Sequence, residues 1–211
     1  MMDTVPMNPA LVMRSDAILK RAALRLIPFM CLMYVASFLD RVNIGFAALE
    51  MNRELGFSPE IYGLAAGMFF WGYFLFEVPS NLMLEKVGAR LWMCRICVTW
   101  GILSMLTAFV QGPVSLYVLR FLLGAAEAGL YPGMVLYMTY WFPASSRARF
   151  IAMFLAGVPL SVVIGAPLSG WLLGVSGHGL SGWQWMLLLE GTIVLLFVID
   201  LIMLFLGLKG H

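Results

Sequence analysis

Residues 114–141 read VSLYVLRFLLGAAEAGLYPGMVLYMTYW, a run broken by only two charges, Arg120 and Glu127. At about 1.5 Å per residue such a run crosses a hydrocarbon core of ~30 Å, and its backbone can be satisfied there only as helix. An ionised side chain at the centre of a membrane helix costs roughly 2.5–3.5 kcal/mol on insertion scales, so Arg120 and Glu127 need a use. They stand seven residues apart, which puts them on one face and about 10.5 Å apart along the axis. Gly124, Ala125, Ala126, Ala128 and Gly129 surround Glu127 and let a neighbouring helix approach closely.

The rest of the chain has the same character. It is 62% hydrophobic and 11% charged, with a mean hydropathy of +0.93, whereas a water-soluble domain carries about 25% charged residues. Apolar runs at 24–47, 59–84, 89–110, 114–141, 146–174 and 183–208 predict six membrane helices, too long and unbroken to be barrel strands. Residues 1–23 are expected as a cytoplasmic tail without a cleavable signal, and 209–211 as the start of a cytoplasmic linker. The first helix repeats the anomaly of the fourth, with Asp40 and Arg41 inside it.

Basic residues set the expected orientation. Arg14, Lys20, Arg21, Arg25, Lys86, Arg90, Arg95, Arg147, Arg149 and Lys209 fall on one side of the six helices, while the other side holds Arg53 among Glu50, Glu54 and Glu60. Both termini are therefore expected in the cytoplasm. The net charge of +2 follows from this topology and gives no ground for nucleic-acid binding.

The fold class expected is an all-α membrane bundle of two inverted three-helix repeats, 1–3 and 4–6, in which the opening helices of both repeats carry charge. Gly157, Pro159, Gly165, Pro167 and Gly170 make the fifth helix either a kinked hinge or a packing surface. Glu77, before Pro79, is expected to snorkel or pair with a loop, and Glu190 and Asp200 are expected to have structural roles. Cys94 and Cys97 form a lone C-x-x-C, and Cys31 stands alone in helix 1, so all three are expected to pack rather than bind metal. His178 has no acid or cysteine at ligand spacing, and neither a metal site nor a nucleophile–base pair can be assembled, so no enzyme, metal or cofactor is expected.

Several stretches resemble the major facilitator superfamily, and within it the anion:cation symporters such as tartrate-, phthalate- or hexuronate-type permeases. They are F-L-D-R-V-N with Asp40, Arg41 and Asn43, G-Y-F-L-F-E-V-P-S-N in helix 2, R-F-L-L-G-A-A-E-A-G-L-Y-P-G in helix 4, and W-F-P-A-S-S-R-A-R after it. The 2–3 loop is similar to the superfamily's signature loop at Glu85, Gly88 and Arg90, although Asn81 stands where many members have glycine. The resemblance implies the N-terminal six-helix half of a twelve-helix proton-coupled symporter of organic anions in the inner or plasma membrane. It also implies Asp40 and Glu127 as protonation sites, Arg41 and Arg120 as carboxylate-binding arginines, Asn43, Tyr34 and Tyr73 as cavity wall, and Glu85, Gly88 and Arg90 as a cytoplasmic gate. A second six-helix half, in the same longer chain or a dimer partner, would complete the cavity. The competing expectation is a receptor, an assembly subunit or an inactive half that binds without transporting, with the four charges serving only as a helix clamp.

Overall fold

The computed structural model describes residues 9–175, 177 and 179–209; residues 1–8, Gly210, His211 and the loop His178 lie outside it, as do the side chains of Arg14, Lys20, Arg21, Arg25, Asp200 and Lys209. The described residues form eight helices: α1 (Pro9–Leu55), α2 (Pro59–Val87), α3 (Ala89–Thr107), α4 (Pro113–Glu127), α5 (Leu130–Trp141), α6 (Ala144–Leu155), α7 (Gly157–Leu173) and α8 (Gly182–Lys209). Five stretches are long and apolar enough to cross a membrane, with Gly182–Val198 as a shorter apolar sixth.

Six spans were expected and six are present, but the fourth and fifth are each in two pieces. Pro132 and Pro159 fall in the first turn after each break. A proline has no N–H to give to the carbonyl four residues back and clashes with it, so a helix's first turn is its least costly place, although α1, α2 and α7 carry Pro28, Pro79 and Pro167 inside them. The new segments are α5 after Gly129 and α7 after Ala156. Gly129 takes φ +88°, a left-handed conformation that an L side chain rarely adopts. The break follows directly on Glu127, the last residue of α4. Helix 1 is also longer than expected at both ends, because Pro28 and Gly45 are accommodated inside it and it ends only before Gly56, at φ +66°.

Three helix pairs dominate the packing: α2 on α4, α3 on α8, and α1 on α7. Taken as spans 1 to 6, these are the pairs 2–4, 3–6 and 1–5. Exchanging span 1 with 4, 2 with 5 and 3 with 6 maps the set onto itself, and it also maps the next contacts, α1 on α8 and α3 on α4, onto each other. Because each repeat has an odd number of helices, the exchange inverts their direction, as an inverted repeat requires. Glycines make the crossings close. A Cβ on Gly72 would strike the Phe121 carbonyl and one on Gly124 the Phe69 carbonyl, while Gly101 and Gly191 oppose each other in the same way across α3 and α8. In α7, Gly157 and Gly165 pack against Val35 and Leu39 of α1, whereas Gly170 faces open space.

At the bundle end that holds residues 56–58, 108–112, 174–175 and 179–181, Glu54 accepts hydrogen bonds from Ser181 Oγ at 2.7 Å and Trp183 Nε1 at 2.8 Å. Gln184 Nε2 donates to the Ala108 carbonyl at 2.8 Å. These bonds tie the first, third and sixth spans together at that end.

Candidate functional site

All six spans contribute polar or aromatic groups to one central cluster. From α1 come Ser37, Asp40, Arg41 and Asn43; the first three are spaced i, i+3, i+4 and share a face. Phe69 and Tyr73 of α2 use the same i, i+4 spacing, and Arg120 and Glu127 of α4 use i, i+7. Ser104 of α3, Ser169 of α7 and Glu190 of α8 complete the set.

At the centre Arg41 Nη2 donates to Glu127 Oε2 at 2.8 Å, and Arg41 Nε donates to the same oxygen at 3.2 Å. Ser37 Oγ donates to it as well, at 3.3 Å. One carboxylate oxygen thus takes three donors, while Oε1 is buried without a partner. The Arg41 guanidinium is walled by aromatics, its central carbon lying 5.0 Å from the Tyr73 ring centre, 5.3 Å from Phe38 and 5.4 Å from Phe69. Such rings attract a cation and hold it where water is scarce.

Arg120 is differently placed. It is 4% exposed, its guanidinium carbon lies 4.7 Å from the Phe69 ring centre, and it has no carboxylate within 4 Å among the described residues. Its Nε has no hydrogen-bond partner. Asp40 Oδ1 accepts from Ser104 Oγ at 2.8 Å, and Oδ2 is buried without a partner. The cluster therefore contains one closed ion pair and, beside it, a buried guanidinium and a buried carboxyl group with bonding capacity to spare. A guanidinium in that state fits a carboxylate in a bidentate fork.

Of the residues singled out from sequence, Asp40, Arg41, Asn43, Tyr73, Arg120 and Glu127 are brought together. Tyr34 lies off the cluster in an aromatic stack, 4.1 Å from Phe154 and 5.6 Å from Tyr131 between ring centres, joined to the site through Phe38 at 5.0 Å. Glu85 is exposed at the end of α2, and Gly88 between α2 and α3 takes φ +94° with its N–H on the Leu84 carbonyl at 2.9 Å. Arg90 follows in the first turn of α3. These three lie far from the charged cluster along α2. Cys97 is buried in the core beside Ile96 and Trp100.

Glu190, expected to have a structural role, takes a bond from Asn43 Nδ2, and Asn43 Oδ1 in turn accepts from Ser169 Oγ. The cluster accordingly holds three acids and two arginines, one acid more than the neutral set of Asp40, Arg41, Arg120 and Glu127. The missed signal was a set of serines in apolar helices: Ser37, Ser104 and Ser169 are all buried at 2% exposure or less. The helix 2 aromatics also divide, Phe69 and Tyr73 facing the cluster while Phe70 and Trp71 are exposed.

Related proteins match this chain over most of its length. A protein of Agrobacterium vitis named "Putative tartrate transporter" is 56% identical over 191 residues, 87% of this chain and 42% of its own length. A protein of Pseudomonas putida named "Putative metabolite transport protein NicT" is 52% identical over 88% of this chain and 44% of its own length. The chain thus spans less than half the length of these curated relatives. In fold it superposes on a bacterial homologue of the human lysosomal transporter Spinster, solved inward-facing and unoccupied, with a TM-score of 0.73 at 22% identity over 85% of this chain and 42% of that one. Residues 30–211 match the Major Facilitator Superfamily, and the chain belongs to that family of membrane transporters.

Proposed function

We propose that this chain forms the N-terminal six-helix half, residues 24–208, of a proton-coupled symporter that carries an organic carboxylate inward across the bacterial inner membrane, with both of its termini cytoplasmic. The observation that carries the proposal is Arg120, a buried guanidinium with no carboxylate of its own, set beside the closed Arg41–Glu127 pair. Burying such a charge unpaired is costly, and an incoming carboxylate repays it. The names of the relatives, one of them "Putative tartrate transporter", support an organic acid as cargo.

Coupling follows from charge. A carboxylate that binds Arg120 adds a negative charge to a site that already holds Asp40 and Glu127. A proton on Glu127 releases Arg41 from its ion pair, and a proton on Asp40 cancels the charge nearest Arg120, so loading with anion and proton together keeps the cavity neutral while it reorients through hydrocarbon. Ser37 and Ser104 hold the two acids in place whether or not they are protonated, since a hydroxyl both donates and accepts. Glu85, Gly88 and Arg90 serve as the inner gate, and the break after Glu127 supplies a point at which the fourth span bends.

The experiment is uptake of radiolabelled tartrate and related acids into sealed liposomes that hold the protein expressed from its full gene, under an imposed pH gradient. Accumulation that collapses with the gradient is expected. Binding of the acid without entry into the liposome would replace the proposal with a receptor or assembly subunit.

A further inference from the structure

Glu190 lies on α8 and meets α1 and α7 through one amide. Asn43 Oδ1 is committed to Ser169 Oγ, which fixes the amide so that Nδ2 points at Glu190 Oε1. Oε2 is left buried and without a partner, and no cation lies within 4 Å of either oxygen among the described residues. The ionisable groups that act on Glu190 are Asp40 of α1 and Arg120 and Glu127 of α4. From the helices packed on α8, α7 has no ionisable residue and presents Ser169, while α3 presents Ser104 to Asp40, its cysteines and arginines lying two turns or more before Ser104.

Three acids against two arginines leave the fully ionised cluster at −1. The closed Arg41–Glu127 pair is neutral, so Arg120 stands against Asp40 and Glu190 together, and a bound carboxylate leaves the cluster neutral only when both acids are protonated. Position orders these two. Glu190 is eight residues, about 12 Å, from the start of α8 at the 179–181 end of the bundle. Its partner Asn43 is three residues, about 4.5 Å, nearer that end than Asp40.

We propose that Glu190 is a third proton-exchanging acid of this cavity, placed between the 179–181 end and Asp40. A proton from water adds to the free Oε2 and leaves by the same oxygen, with Asn43 holding Oε1 throughout. When a substrate carboxylate occupies Arg120, Asp40 and Glu190 are both protonated; when it leaves, both give their protons up, so that two protons move with each carboxylate and the empty cluster stands at −1. The inference rests on the symport reading above and adds to it one acid that shares the transported protons.

The test uses the full gene product in liposomes and measures protons and substrate moved together, in wild type and in Glu190→Gln, which keeps an acceptor for Asn43. With a gradient of one pH unit each coupled proton multiplies the accumulation ratio by about ten. Glu190→Gln is expected to lower accumulation about tenfold and the proton-to-substrate ratio by one, with counterflow exchange still measurable. The same ratio in variant and wild type overturns the role of Glu190 alone; no pH-driven accumulation in wild type overturns the symport reading instead. Accumulation that follows sodium at zero pH gradient, lost in Glu190→Gln, would make this a cation site and overturns the proposal. Should Glu190→Gln fail to fold, carbodiimide modification of Glu190 in wild type, read by peptide mass spectrometry, decides. Modification that declines as pH rises supports a protonated acid, and none at any pH, with unfolded protein modified, overturns it.

Discussion

The ion pair between Arg41 and Glu127 does two jobs that substitutions can separate. It neutralises a carboxylate that is 0% exposed, and it keeps Arg41 from a substrate. Glu127→Gln preserves an oxygen for Arg41 and mimics the protonated acid, so the variant should fold, exchange substrate by counterflow, and lose proton-driven accumulation. Persistent accumulation in that variant removes Glu127 from the coupling step. Arg120 calls for a different substitution. Arg120→Lys keeps the charge but loses the planar fork and the stacking on Phe69, so uptake at low substrate should fall at least about tenfold, the scale of one charge-assisted hydrogen bond. Asn43 is structural in a third sense, since it bonds two buried groups on two other helices. Asn43→Ala strips both Ser169 and Glu190, at about 1–3 kcal/mol for each group left unsatisfied, and a lower melting midpoint in detergent would show it.

At the level of helices, the close crossing of α2 and α4 depends on absent side chains. Gly124→Val puts a branched side chain against the Phe69 carbonyl, and should destabilise by at least about 1–3 kcal/mol through forced separation of the two helices. Gly170→Ala is the matched control: its Cβ meets nothing within 4 Å, so the variant should be neutral or gain up to about 1 kcal/mol from helix propensity. Thermal unfolding of the two variants compares them, and equal losses would mean that glycine flexibility rather than close approach matters. The helices themselves were legible because an apolar run has one structural outcome in lipid. Their breaks were not, since Pro132 and Pro159 reveal a break only once the helix start is placed around them. Asp40, Arg41, Arg120 and Glu127 were legible for a similar reason, each being an ionisable group in an apolar run. Glu190 was as visible as they were, but its meaning comes from Asn43, 147 positions away in sequence, and no local pattern announces that pairing.

For the molecule as a whole, the symmetric set of helix crossings sorts the loops onto two ends. Residues 56–58, 108–112, 174–175 and 179–181 cluster at one, and Gly88 with Phe142 and Pro143 at the other. Lys86, Arg90, Arg147 and Arg149 lie at the second end, while Arg53, Glu50, Glu54 and Glu60 lie at the first. Cytoplasmic loops retain Lys and Arg because translocating them is disfavoured, so the second end should face the cytoplasm. This predicts the response of single cysteines to a membrane-impermeant thiol reagent, in a background with Cys31, Cys94 and Cys97 replaced. Glu60→Cys, exposed in the first turn of α2, should react on intact cells. Glu85→Cys, exposed near the other end of the same helix, should react only after the membrane is opened. The opposite pattern would invert the molecule, and then Glu190 would lie toward the cytoplasm from Asp40. An inverted chain could still couple protons to substrate, but inward protons would meet the Arg41–Glu127 pair before Glu190, and the order of proton loading would run the other way.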